Sequence, residues 1–263
     1  MNPDKRRLCY DFKAITLLVI PIIITLVKFS GLEFFGDEKI EMFPSYLKIW
    51  FLAAGTVAGV LFFLMKYTSF NNTAARITNR RDFPEVFARI ERLCNELKMD
   101  VPEVGFLDSS IPNAFVYKNN KKPILVMTVP LVEILDAKEL ETVLAHELTH
   151  IKNCDLELRK FSLLVRFALF LNPLVHLTEP FVSRSREYLA DETAAWITNA
   201  PGKLASALLK VEDYTISYNI KKFPTSVPPD VFFFECHSCT PQIFSRCPST
   251  ENRVRRLLLM KSK

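Results

Sequence analysis

Two long apolar runs open the chain. Residues 12–29 carry Lys13, Pro21 and Lys28 in a run made mostly of Leu, Ile and Val, and residues 47–65 carry Lys48 at one edge and Ala53-Ala54-Gly55 at the centre. Each run approaches the ~20 residues that cross a ~30 Å hydrocarbon core, and a proline inside such a helix is tolerated when neighbours satisfy the freed carbonyl. The pattern therefore predicts an N-terminal membrane anchor, residues 1–70, with two transmembrane helices at about 12–29 and 47–65. Lys5, Arg6, Arg7 and Lys13 precede the first run, acidic Glu33, Asp37, Glu38 and Glu41 lie between the two, and Lys66, Arg76, Arg80 and Arg81 follow the second. The excess of positive charge on both outer flanks places the remainder, residues 71–263, on the cytoplasmic side.

Beyond the anchor the periodicity changes. Pro84 to Met99 spaces Val86, Phe87, Ile90, Leu93, Cys94 and Leu97 as one face of a helix, with proline in the first turn. Val101 to Leu107, Ala114 to Tyr117 and Pro123 to Thr128 read as strands, and the Asn119-Asn120-Lys121-Lys122 turn joins the last two as a hairpin. Pro130 to Leu135 is a short helix. Asp136 followed three residues later by Glu139 is a capping box, and it opens a helix whose apolar face is Leu140, Val143, Leu144 and Leu148. Residues 161–177 are apolar but slightly short, and they carry Arg166, Asn172, Pro173 and His176, which fits a membrane-associated or a buried helix. Lys203 to Tyr214 forms a further helix with Leu204, Leu208, Leu209 and Val211 facing inward, and a proline- and phenylalanine-rich loop at 223–234 covers the cleft. The last residues end as a basic helix.

Composition adds little except by exclusion. The net charge is +5 over 263 residues and is spread out, so nucleic-acid binding has no support. Six cysteines in a cytoplasmic chain are expected as reduced thiols. Cys236, His237, Cys239 and Cys247 form a weaker pattern that a second, structural metal could use.

The candidate chemistry sits on the capped helix. His146 and His150 are four residues apart, so both imidazoles leave one helical face and can reach one ion, while Glu147 can turn its carboxylate toward a water at that ion. A catalytic zinc keeps three protein ligands and an open position. Asp155 and Glu157 follow too soon to be the third ligand, and His176 and His237 have unsuitable surroundings. The segment Ser185 to Glu192 is helical and rich in carboxylates. Within it Glu187 is the expected third ligand, with Asp191, four residues on, bonding the outer nitrogen of a ligand histidine.

Four segments in order now carry a resemblance: Ile111-Pro112-Asn113-Ala114-Phe115-Val116, His146-Glu147-Leu148-Thr149-His150, Glu187-Tyr188-Leu189-Ala190-Asp191, and Cys247-Pro248-Ser249-Thr250-Glu251-Asn252-Arg253-Val254. Over residues 84–257 the chain resembles the membrane-bound zinc metallopeptidases of the HtpX/Ste24 type, the M48 family. The resemblance implies an α+β, mainly helical zincin-like domain with a small β-hairpin sheet behind two transmembrane helices. It implies one Zn2+ per chain on His146, His150 and Glu187, Glu147 as general base, Asp191 behind a ligand histidine, and Arg253 as a catalytic arginine near the site. Asn113, Ala114 and Phe115 would line the substrate cleft, and Cys247 stands where the family has a histidine. The implied partners are protein or peptide substrates, membrane proteins foremost, and the lipid bilayer. The implied function is endopeptidase action on membrane or misfolded proteins. A dedicated processing peptidase and a zinc-binding scaffold without turnover are the alternatives.

Overall fold

A computed structural model describes residues 76–119, 122–159, 173–218 and 247–260. The apolar runs at 12–29 and 47–65, the loop at 223–234 and the Cys236–Cys239 pattern lie outside the described residues, as does most of 161–177. Among the described residues no helix is long and apolar enough to cross a membrane.

The sheet is larger than a hairpin. Strands β1 (Arg76–Ile77), β2 (Glu103–Leu107), β3 (Ala114–Asn119) and β4 (Lys122–Thr128) lie in the order β1-β2-β4-β3. The β3–β4 hairpin is antiparallel as expected, with Phe115 opposite Val126, but β4 also runs parallel to β2, with Gly105 opposite Val126. β1 adds antiparallel to β2 from the basic stretch that follows the second apolar run, where no strand is expected. Both its residues are exposed, so no burial pattern marks it. β4 is central, and residues Ile124 to Thr128 are all buried, as a strand covered on both faces requires.

Alternation sorts the faces. Ala114, Val116, Leu125 and Met127 join the main core with the helices, whereas Phe115, Ile124 and Val126 cluster with Leu107 on the opposite face. The main core is closed by α1 (Pro84–Leu97), α2 (Val129–Ile134), α3 (Ala137–Lys152), α4 (Pro173–Thr198), α5 (Pro201–Ser217) and α6 (Thr250–Leu258). One inward assignment is corrected. Leu204, Leu208 and Val211 of α5 are buried, but Leu209 is half exposed, since it is one residue off their shared stripe.

Helix α3 is the centre of this packing, and every residue from Glu139 to Thr149 is buried. Its start is fixed by the capping box. The Asp136 carboxylate accepts from the N–H groups of Lys138 at 2.9 Å and Glu139 at 2.8 Å, while Glu139 accepts from the Asp136 N–H at 2.9 Å. That end is then tied to α5. Lys203 bonds Asp136 at 2.6 Å, and the buried Glu139 carboxylate accepts from Ser206 and Lys210, each at 2.7 Å. Burial would raise the Glu139 carboxyl, but Lys210 and the other donors outweigh it and hold it below the usual range.

Candidate metal centre

A helix buried on every side must satisfy its polar side chains internally. Thr142 and Thr149 bond carbonyls of their own helix at 2.7 and 2.8 Å, and Glu141 pairs with Arg92 at 2.7 Å. His146, Glu147 and His150 remain. The helical spacing brings the two imidazoles together, His146 Nε2 and His150 Nε2 lying 3.0 Å apart. α4 crosses α3 and delivers Glu187, whose carboxylate oxygens are 3.5 Å from His146 Nε2 and 3.7 Å from His150 Nε2. All three ligand atoms thus lie within 4.8 Å of one another. Nitrogens ~2.05 Å from a tetrahedral zinc would sit ~3.3 Å apart, so the donor set and its spacing fit such an ion.

The outer nitrogens are held from behind. His146 Nδ1 is 2.9 Å from Asp191 Oδ1, and Asp191 in turn accepts from Arg253 Nε at 2.8 Å and from its terminal nitrogen at 2.6 Å. All three side chains are buried. Burial raises the Asp191 carboxyl, yet the Arg253 guanidinium outweighs it and holds it low. His150 Nδ1 is 2.7 Å from Asp155 Oδ2, and Asp155 accepts from Arg186 Nε at 2.5 Å. An ionised carboxylate can only accept, so the bond at His150 puts that ring's proton on Nδ1 and turns its Nε2 lone pair inward, and the Asp191 carboxylate beside His146 Nδ1 favours the same tautomer there.

Glu147 is different. Its side chain is buried, and among the described residues its carboxylate makes no hydrogen bond or salt bridge. Burial is the main cause that pushes its carboxyl up to about 8. Glu187, equally buried, goes the other way. Desolvation raises it, but His150 and His146 outweigh that and hold it well below the carboxylate range. The two carboxyls of this one site are thus shifted in opposite directions. A cavity of about 30 Å³ beside His150 and Glu187 is large enough for a water.

The matching family model, described as peptidase family M48, covers residues 80–261. The chain belongs to peptidase family M48. Within it the chain is a metallopeptidase of the HtpX/Ste24 type. It is 32% identical to a Protease HtpX homolog of Tropheryma whipplei, over 88% of this chain and 87% of that protein. It is 28% identical to a Protease HtpX homolog of Dictyoglomus thermophilum, over 94% and 90%. The crystal structure of S. mikatae Ste24p superimposes with a TM-score of 0.53 at 16% identity, covering 96% of this chain and 66% of that one, which speaks to the fold alone.

The remaining sequence candidates fall in two places. Asn113 is buried at the entrance to β3, its N–H donating to Thr128 Oγ1 at 2.8 Å and its carbonyl accepting from the Thr128 N–H at 3.0 Å. Ala114 and Phe115 follow on β3, which packs against α3. Arg253 reaches the site through Asp191, and Cys247 is half-buried just before α6. Asp155 and Arg186 were missed in any role. By spacing Asp155 follows the helix too soon to be a third ligand, and the spacing gives it no other role. The usable signal was an acidic residue immediately beyond the metal helix together with an arginine adjoining the third ligand.

Proposed function

We propose that this metallopeptidase is a membrane-anchored, zinc-dependent endopeptidase that cleaves peptide bonds in membrane or misfolded proteins, with its catalytic domain facing the cytoplasm. The observation that carries the hydrolytic reading is Glu147: a buried carboxyl, without a bonded partner among the described residues, beside three converging ligand atoms. His146, His150 and Glu187 would hold one zinc. When bound, zinc supplies Lewis acidity that makes water acidic near neutral pH and polarises a carbonyl. Glu147 takes the proton of the attacking water and returns it to the leaving amine.

Substrate would lie extended along the outer edge of β3, beside the metal helix, by strand addition. The Asn113 backbone is committed to Thr128, so main-chain pairing with substrate would begin at Ala114, while Asn113 shapes the entrance and Phe115 supports the strand from beneath. Arg253 contributes by holding Asp191, and through it His146. Membrane anchoring is supported by the apolar runs at 12–29 and 47–65, and an anchored peptidase meets membrane-embedded chains first.

The test compares the full chain with Glu147→Gln in native membranes. Wild type should cleave an unfolded protein substrate, Glu147→Gln should lose about 10²–10⁴-fold of that rate, and specific membrane proteins should accumulate uncleaved. A wild type that holds zinc and cleaves nothing supports the scaffold reading instead.

A further inference from the structure

We propose that Asp155 and Arg186 are a positioning pair for His150, setting the ring that the metal group uses and coupling it to Glu187. This rests on His146, His150 and Glu187 being a metal site. Helix α3 ends at Lys152, and Cys154 then takes a left-handed conformation, φ 57°, with its N–H bonded to the Ile151 carbonyl at 3.1 Å. Side chains other than glycine rarely adopt that conformation. The turn starts a new helical stretch at residues 155–159 and folds Asp155 back over the ring one turn earlier.

The two carboxylate oxygens of Asp155 are divided between two partners. Oδ2 lies 2.7 Å from His150 Nδ1, and Oδ1 accepts from Arg186 Nε at 2.5 Å and also from its terminal nitrogen. The Arg186 terminal nitrogen donates in addition to the Asn153 carbonyl at 3.1 Å, so the guanidinium grips both the carboxylate and the turn that presents it. Arg186 immediately precedes Glu187. One stretch of α4 therefore supplies the third ligand and the clamp on the second, which holds the His150–Glu187 separation from both sides. The same carboxylate-and-arginine arrangement stands behind His146 but is built from a different aspartate, also on α4, and from an arginine on α6. A simple tie between α3 and α4 would need no contact with the imidazole.

The full chain, wild type against Asp155→Ala and Asp155→Asn, tests the pair by zinc affinity in competition with a chromophoric chelator and by the visible spectrum of the Co(II)-loaded protein. Asp155→Ala should weaken zinc binding about 10–100-fold and shift the Co(II) bands, while Asp155→Asn, which still accepts from Nδ1–H, should recover most of the affinity. If Ala at 155 strands the Arg186 charge and prevents folding, Asp155→Leu with Arg186→Met removes both charges together and carries the same expected loss. Folded variants with wild-type affinity and an unchanged Co(II) spectrum would overturn the pair as a positioning device. Wild type that binds no zinc would overturn the metal reading as well.

Discussion

The two imidazoles of the centre are supported alike and placed differently. Behind His146, which is 0% exposed, Asp191 and Arg253 are each only 4% exposed, and the three residues come from α3, α4 and α6. Behind His150, at 14%, stand Asp155 at 11% and Arg186 at 6%, at the rim and beside an exposed turn. The interior clamp is part of the core that joins three helices, so it serves stability and, on the proposed metal reading, the placement of His146 as well. Water can reach the rim clamp, so its loss should fall mainly on the metal.

The largest expected effect breaks the interior clamp. Arg253→Ala leaves Asp191 buried without its guanidinium, and a thermal or urea melt should show a loss of about 3–5 kcal/mol. A loss under 1 kcal/mol would erase the contrast between interior and rim. Next in size is Glu147, the interior carboxyl with no clamp. Its pKa in the folded, metal-free chain is about 8 against an ordinary 4.5. Between those values the unfolded chain releases the proton and the native one keeps it, so stability is highest below pH 4.5 and falls as pH rises toward 8. Metal-free wild type should therefore lose on the order of 3 kcal/mol more than Glu147→Gln between pH 5 and pH 8, read from paired denaturation curves.

A smaller effect belongs to neither clamp. Asp136→Ala removes the cap at the far end of α3 and should cost about 1 kcal/mol, with zinc affinity unchanged because the imidazoles keep their supports. A change in affinity would mean that the cap and the centre are coupled. The smallest effect is chemical. Burial, followed by Asp100 and Glu91, pushes the Cys94 thiol up to about 11, and its side chain is sealed in the core, whereas Cys154 is exposed at the rim turn. At pH 7.5 a maleimide should label Cys154 in the native protein and Cys94 only after unfolding, measured by mass spectrometry. Cys154 is accordingly the thiol to use for reading which side of a membrane the domain faces.

The same contrast governs what was legible in the residues. The interior half follows from spacing: a capping box, an apolar stripe, two histidines one turn apart, and Glu187 and Asp191 one turn apart. The rim half depends on a left-handed Cys154, a conformation that glycine usually signals and that a cysteine does not announce. Arg253 was legible as near the site through resemblance, but its bond to Asp191 spans 62 positions, which no local pattern encodes. The hairpin was legible from its turn. The parallel β2–β4 pairing was not, because β4 inserts between two strands that precede it in the chain. Leu209 passed as inward on composition and faces outward by one residue of helical phase.

The most direct test is zinc content and peptide cleavage measured together on wild type, Glu147→Gln and Glu187→Ala. The account predicts one zinc per chain in wild type and in Glu147→Gln, near none in Glu187→Ala, and cleavage by wild type alone. Cleavage by Glu147→Gln at the wild-type rate, or full zinc retention by Glu187→Ala, would contradict it.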